Sequence, residues 1–237
     1  KGRGMHRVRR APFMIAAAVI LPLLIFLGLQ LAFQARDQRE SVEVETLART
    51  ERVLVEVDAM LQRTLGALDV LATGGSVTES DWRLHYERLQ QLRRIESGWV
   101  TARLVDLRTS ETLFDLRQPF GTRVSAGGFR LPARRREDTR AFVGDVAGSG
   151  PNCPCALAHR FIERSGASPV LITVALDTRP MLRVLDRHTQ RGRVSGIMDR
   201  QGNFVARSLD HSRRVGTPAT PYVQRALRGG DPGLRGS

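Results

Sequence analysis

The sequence contains few aromatic residues, few cysteines and almost no lysine. Aromatics make up 5% of the 237 residues, with two Trp and two Tyr among them. Proteins that bind single-stranded nucleic acid stack bases on aromatic side chains along a basic groove. Here the basic residues are scattered along the chain, and all but one of the 37 are Arg. The net charge of +13 therefore reflects a general bias toward arginine and does not form a clustered basic surface. We therefore expect no nucleic-acid partner.

The two cysteines are too few for a disulfide scaffold. In an extended chain the Cα atoms of Cys153 and Cys155 lie about 6.6–7 Å apart, at or beyond the usual disulfide limit. We therefore expect free thiols, or a bond between chains. Together with His159 they offer three candidate ligands for zinc or copper. No fourth ligand is evident, so we assign no metal.

Motifs for catalysis are also missing from the sequence. There is no Gly-x-Ser-x-Gly turn, and no glycine-rich nucleotide loop follows a predicted strand. The five histidines lie outside any phospho-acceptor context. We assign no catalytic residue and no cofactor to this chain.

One long uncharged segment is present, over residues 11–33. A helix needs roughly 20 apolar residues to span a bilayer, and five basic residues precede this segment, Lys1, Arg3, Arg7, Arg9 and Arg10. Basic flanks stay on the cytoplasmic side. We expect a cytoplasmic tail over 1–10, a transmembrane helix over 11–33 and an exported remainder. The alternatives are a cleaved signal peptide, whose apolar core is usually shorter, and a buried core helix.

Residues 34–75 are predicted to form a long stalk helix. Between residues 36 and 65 there is neither proline nor glycine, and leucine recurs at every seventh position, at Leu47, Leu54, Leu61 and Leu68. This period is typical of a helix stripe that packs on another surface. The stripe either packs on its own domain or forms a parallel homodimer, and we expect both, with Val44, Leu47 and Leu54 in the dimer part.

The rest of the chain changes from helical to strand periodicity. We predict a second helix over 80–96, capped by Ser80, and strands over 99–107, 112–116, 141–146, 155–163 and 170–176. A helix over 177–188, strands over 194–199 and 203–207, and a helix over 221–227 should follow. The second hairpin repeats the pattern of the first, which indicates two related modules in tandem.

Several sequence strings carry a resemblance to a known family. They are Trp99, Leu104-Val105-Asp106, the segment Phe114-Asp115-Leu116-Arg117-Gln118-Pro119-Phe120-Gly121, the segment Met198-Asp199-Arg200-Gln201-Gly202-Asn203-Phe204-Val205-Ala206-Arg207-Ser208, and Val215-Gly216. With the anchor and stalk, the chain resembles the double-Cache extracellular sensor regions of bacterial membrane-bound histidine kinases.

The resemblance implies an α+β fold with an N-terminal transmembrane helix, a long stalk helix and two tandem PAS-like antiparallel β-sheet modules. The membrane-distal module would cover residues 76–190, and an incomplete membrane-proximal module residues 191–237. It also implies an inner-membrane protein with residues 34–237 in the periplasm, and a second membrane helix and kinase domains beyond Ser237.

The resemblance further implies that the distal module holds a small molecule between its sheet and the segment joining its second and third strands. The candidate ligand-binding residues are polar side chains on apolar strands or in that segment: Arg103, Asp115, Arg123, Arg130, Arg140, Asp145 and His159. Arginines favour an anion, because the guanidinium fork pairs with a carboxylate. For each arginine, the alternative is an exposed, solvated side chain. For the function, the alternatives are a membrane-tethered domain that docks a partner protein, and the sensor region of a cyclase or chemoreceptor.

Overall fold

The structure is a computed structural model, and it describes residues 10–74, 81–96, 98–124, 140–150 and 153–229. Within these ranges the side chains of 10–25, 31, 32, 35–43, 148–150, 153, 154 and 226–229 are not part of the description. The chain divides into two compact units, the first ending at Thr50 and the second beginning at Glu51.

The first helix, α1, runs over Arg10–Ala72. In the part of the chain that the structure describes, no helix is both long enough and apolar enough to span a membrane. Most side chains of the predicted span, residues 11–33, lie outside the described residues. The transmembrane helix is therefore unsupported by the structure and stays a prediction.

The leucine stripe of α1 meets two different environments. Leu47 and Leu54 are each 63% exposed, whereas Leu68 is fully buried and Leu61 packs partly buried against the core. The prediction that the outer part of the stalk packs on its own domain is confirmed. The dimer part, with exposed Val44, stays a prediction.

The second helix, α2, runs over Trp82–Ile95. Its predicted cap, Ser80, lies outside the described residues. Asp81 caps the helix, since its side chain accepts a hydrogen bond from the Leu84 N–H, 3.0 Å long, as a short acidic side chain at this position usually does. The buried face of α2 carries His85, Tyr86 and Leu89.

The main sheet contains β1 (Trp99–Asp106), β2 (Thr112–Asp115), β3 (Phe142–Val143), β4 (Ala147–Gly150), β5 (Cys153–Ile162) and β6 (Val170–Leu176). The strand order is β2-β1-β6-β5-β3, with β4 paired to β5, and every pair is antiparallel. The predicted antiparallel sheet is confirmed. The central strand β6 is buried along its whole length, as a sequence that is apolar except for Thr173 predicts.

Strand β4 lies between the predicted strands over 141–146 and 155–163, where no strand is predicted. This strand pairs with β5 irregularly, with a register shift between Ala147 and Gly150. Cys155 is disulfide-bonded, so the expectation of a free thiol is wrong at this position. That expectation assumed ideal extended spacing between the two cysteines.

After β6 come α3 (Arg179–His188), the hairpin of β7 (Gly196–Met198) and β8 (Phe204–Arg207), the short helix α4 (His211–Arg214), and α5 (Pro221–Gly229). All but α4 are predicted. The turn of the hairpin is held by Asp199, whose Oδ1 accepts the backbone N–H groups of Gln201 (3.0 Å) and Asn203 (2.8 Å). Val205 and Ala206 of β8 join the same hydrophobic core as the main sheet.

Two acidic residues tie α1 to the elements beside it. The Asp69 carboxylate accepts the Ala141 N–H at 3.0 Å, just before β3, and pairs with the Arg160 Nε of β5 at 2.7 Å. Glu56 pairs with Arg187 and lies 2.7 Å from the His188 Nε2. The stalk helix therefore contacts both the main sheet and α3, the helix that leads to the second hairpin.

Candidate functional site

One row of side chains crosses the main sheet from edge to edge. Strand register aligns Asp115 with Arg103, Arg103 with Thr173, Thr173 with His159, and His159 with Phe142. Successive strand residues point to opposite faces, so these five side chains share one face. The row brings together three of the predicted site residues.

The other face of the sheet carries the hydrophobic core and Arg160, which pairs with Asp69 of α1. Its small and branched side chains pack with the buried residues of α1 and α2 in one cluster that includes Ala102, Leu104, Ala158, Ile172 and Val174. The two faces therefore differ in chemistry. The polar row lies on the face of the sheet opposite the one on which α1 and α2 pack.

At one end of the row, Asp115 is 3% exposed and accepts several hydrogen bonds. Thr101 Oγ1 donates to Oδ1 at 2.7 Å, the Arg117 N–H donates to Oδ1 at 2.9 Å, and Arg103 donates to Oδ2 from Nε (3.0 Å) and Nη2 (2.8 Å). Burial raises the pKa of this carboxyl, but the hydrogen bonds from Arg117, Thr101 and Arg103 outweigh it and hold the pKa below its ordinary value. Asp115 is therefore ionised and fixes the Arg103 guanidinium on the sheet.

At the other end, His159 is 2% exposed. Its Nδ1 shares a hydrogen bond of 3.0 Å with Thr173 Oγ1, and its ring lies 5.3 Å from the Phe142 ring, centroid to centroid. A Cβ on Gly144 would stand 2.6 Å from His159 Nε2, so only glycine fits there without displacing the imidazole. Burial lowers the pKa of His159 to about 4, which keeps the ring neutral at pH 7.

An apolar cluster adjoins this end of the row. Phe142 and Phe161 stack with their centroids 5.8 Å apart, and Leu171 is buried with them. The face thus carries a guanidinium fixed by a carboxylate at one side and a buried aromatic and aliphatic cluster at the other.

The remaining predicted site residues lie elsewhere. Asp145 accepts a hydrogen bond of 3.1 Å from the Gln201 side chain, in the connection between the main sheet and the β7–β8 turn. Arg123 and Arg140 are exposed, and Arg130 lies outside the described residues. The structure therefore does not bring Asp145, Arg123 or Arg140 into the row.

The sequence interpretation missed Thr101, Thr173, Phe142 and Gly144. Thr173 is the single polar residue of β6, which is a signal that could have found it. Phe142 and Gly144 carry no such signal, because their role depends on the pairing of β3 with β5. For metals, the described residues contain no group of three or more His, Cys, Asp or Glu side chains that could hold an ion.

No protein-family model matches the chain, and no curated protein matches it. Among solved structures, the chain is similar to the sensory domain of the Campylobacter jejuni chemoreceptor Tlp3 (CcmL) with isoleucine bound. The TM-score is 0.53 at 10% identity, over 79% of each chain. It is also similar to the ligand-binding domain of Tlp3 from Campylobacter jejuni in complex with L-norvaline. There the TM-score is 0.53 at 10% identity, over 81% of this chain and 80% of the other.

The chain therefore shares the fold of a chemoreceptor sensory domain. This confirms, at the level of fold, the resemblance to the sensor domains of receptors.

Proposed function

We propose that this chain is the extracytoplasmic ligand-sensing region of a transmembrane signal-transduction receptor. The observation that carries the proposal is the row from Asp115 to Phe142, on the sheet face that α1 and α2 do not cover. A fold shared with ligand-binding sensory domains supports it, since such sites combine apolar surface with a few placed polar groups.

The ligand of this face is a small molecule that carries a carboxylate. Arg103, held by Asp115, presents the guanidinium that recognises it, because arginine binds carboxylates in a fixed planar geometry. The stacked Phe142 and Phe161 receive the apolar part of the ligand. The two structural neighbours were solved with isoleucine and L-norvaline, both of which combine a carboxylate with an aliphatic side chain.

The topology of the receptor follows from the sequence. Residues 11–33 would cross the inner membrane with residues 1–10 in the cytoplasm and residues 34–237 in the periplasm, because the basic residues lie before the apolar segment. The β7–β8 hairpin would belong to a second, membrane-proximal Cache module over residues 191–237.

Two receptor classes fit this sensor region. A chemoreceptor is supported by both structural neighbours, which are sensory domains of one. A two-component sensor histidine kinase is supported by the strings from Trp99 to Gly121 and from Met198 to Ser208. Either class couples a periplasmic site to the cytoplasm through its stalk.

The receptor would work as a parallel homodimer joined through the exposed stripe of α1. Val44, Leu47 and Leu54 are all more than 60% exposed, and their spacing fits a coiled-coil seam. Leu54→Asp should abolish the dimer, because the substitution places a charge in the seam. Analytical ultracentrifugation would show this, and an unchanged dimer would contradict the proposed seam.

A thermal-shift panel tests the ligand proposal. The twenty L-amino acids and a set of organic acids are added to the full chain in mild detergent. At a ligand concentration 100 times the dissociation constant, stabilisation is about 2.7 kcal/mol, or roughly 5–10 °C for a domain of this size. Arg103→Lys keeps the charge but loses the planar fork, so the shift should shrink.

Arg207→Lys is the matched control, since Arg207 also lies on a strand, in β8, away from the row. A panel in which no carboxylate raises the midpoint would contradict the proposal. So would a shift that Arg103→Lys and Arg207→Lys reduce equally.

A further inference from the structure

A cleft with no part in the sheet-face site lies between α1, the start of β1, the end of β6 and α3. Its volume is about 220 Å³. Pockets for drug-sized ligands run from roughly 300 to 1,000 Å³, so the cleft suits a smaller molecule. The residues that line it come from four elements that meet at one end of the main sheet.

Part of the inner surface of this cleft is apolar. Met60 and Leu61 of α1, Trp99 of β1, Leu176 of β6 and Met181 of α3 line it. These side chains offer a hydrophobic surface to an aliphatic chain, whose burial would be worth about 0.8 kcal/mol per CH₂ group.

One polar contact inside the cleft fixes the indole. Trp99 Nε1 donates a hydrogen bond of 3.3 Å to Thr64 Oγ1, and Trp99 and Thr64 are each 5% exposed. The wall between α1 and β1 is therefore held in place by a buried contact.

The rim of the cleft carries a surplus of positive charge. Among its acids, Asp177 is compensated by Arg179, whose Nε lies 3.1 and 2.8 Å from the two carboxylate oxygens. Arg63, Arg183 and Glu96 also line the cleft, so two guanidinium groups face one remaining carboxylate. Within the described residues, neither Arg63 nor Arg183 makes an ion pair. An anionic head group would meet an attractive potential there.

We propose that this cleft is a second binding site, for a small aliphatic carboxylate. Its apolar chain lies along Met60 and Met181, and its carboxylate binds the guanidinium of Arg183. Because one wall is α1 and another is α3, the occupant contacts the stalk and the helix that leads to the second hairpin at once. The proposal does not depend on the sheet-face site, because the two sites share no residue.

The methionines provide a direct test, because Met60 and Met181 line the cleft while Met198 lies in β7. The full chain, labelled with ¹³C at the methionine methyls and held in mild detergent, is titrated with sodium valerate. The Met60 and Met181 signals should shift saturably with one dissociation constant, while the Met198 signal stays unchanged. Shifts that never saturate, equal shifts at all three, or no shift at Met60 and Met181 would overturn the proposal.

Two variants with the same loss of charge sharpen the test. Arg183→Gln should weaken valerate binding about tenfold, since a hydrogen bond to a charged group is lost. Arg213→Gln, in the exposed helix α4, should leave the affinity within twofold. Equal affinities in the two variants would overturn the assignment of the head group to Arg183.

A second titration, with L-norvaline, distinguishes the source of the carboxylate. Tighter binding of norvaline than of valerate, lost in Glu96→Gln, identifies an amino acid whose ammonium pairs with Glu96. Tighter binding of valerate identifies a simple fatty acid. Both results support an aliphatic carboxylate in the cleft, and binding of neither compound there would refute it.

Discussion

Truncating Leu68 to alanine should strongly destabilise the unit that carries the sheet, whereas truncating Leu54 on the same helix should cost little. Both leucines belong to one heptad stripe, and the sequence analysis places only Leu54 in the dimer part. The structure agrees with a different environment for each, because Leu68 is fully buried and Leu54 is 63% exposed. Leu68 packs in the core formed by α1 and the main sheet.

The expected magnitudes follow from this difference. A buried Leu→Ala substitution costs about 3–5 kcal/mol, because transfer free energy is lost and a cavity remains. An exposed substitution usually changes stability by about 0.5 kcal/mol or less. For a unit of this length, each kcal/mol lowers the midpoint by roughly 2–4 °C, so Leu68→Ala should lower it by roughly 6–20 °C and Leu54→Ala by about 2 °C or less.

Urea unfolding followed by tryptophan fluorescence measures both variants, at several protein concentrations. The dilution series is needed because Leu54 lies in the proposed dimer seam, and a cost that vanishes on dilution belongs to the dimer. Equal costs for the two variants at the lowest concentration would refute the assignment of Leu68 to the core of its own unit.

Three further predictions concern the row across the sheet. Gly144→Ala should cost about 1–3 kcal/mol, because its Cβ overlaps the buried imidazole of His159, and His159→Ala in the same chain should recover part of this, which a double-mutant cycle in urea would show. His159 should stay neutral in an NMR titration down to about pH 5, because burial lowers its pKa to about 4. Between about pH 6.5 and 4 only the unfolded chain binds the proton at this residue, so the free energy of unfolding should fall as pH drops through that range. Asp115 has a lowered pKa in the folded state, so its contribution to stability is present above about pH 4 and is lost as pH falls further. Asp115→Asn removes the titrating group that pairs with Arg103, so acid-unfolding curves of this variant should show a smaller loss of stability at low pH.

Much of the secondary structure is predictable from local pattern. The sequence of residues 170–176, apolar except for Thr173, predicts both ends of β6. The proline near the start of α3, together with the apolar spacing, predicts that helix. These signals depend on residues close in sequence. The irregular strand β4 was missed because it depends on pairing with β5 rather than on local preference.

The candidate site is harder to predict, for the same physical reason. Arg103, Asp115 and His159 stand out as polar residues on apolar strands, and strand register places them in one row. Arg123 and Arg140 stand out equally as arginines, yet they are exposed. Which polar residues share a face is decided by register across four strand pairs, and the local sequence does not contain that information.

A crystal structure of the chain with the carboxylate that most raises its melting midpoint tests the central claim most directly. The account predicts density for the ligand on the sheet face of Arg103 and His159. Its carboxylate should lie within about 2.7–3.2 Å of the Arg103 guanidinium, and its apolar part should lie against Phe142. A ligand bound only in the cleft of Met60 and Met181, or bound away from both places, would contradict the claim that this face is the sensory site.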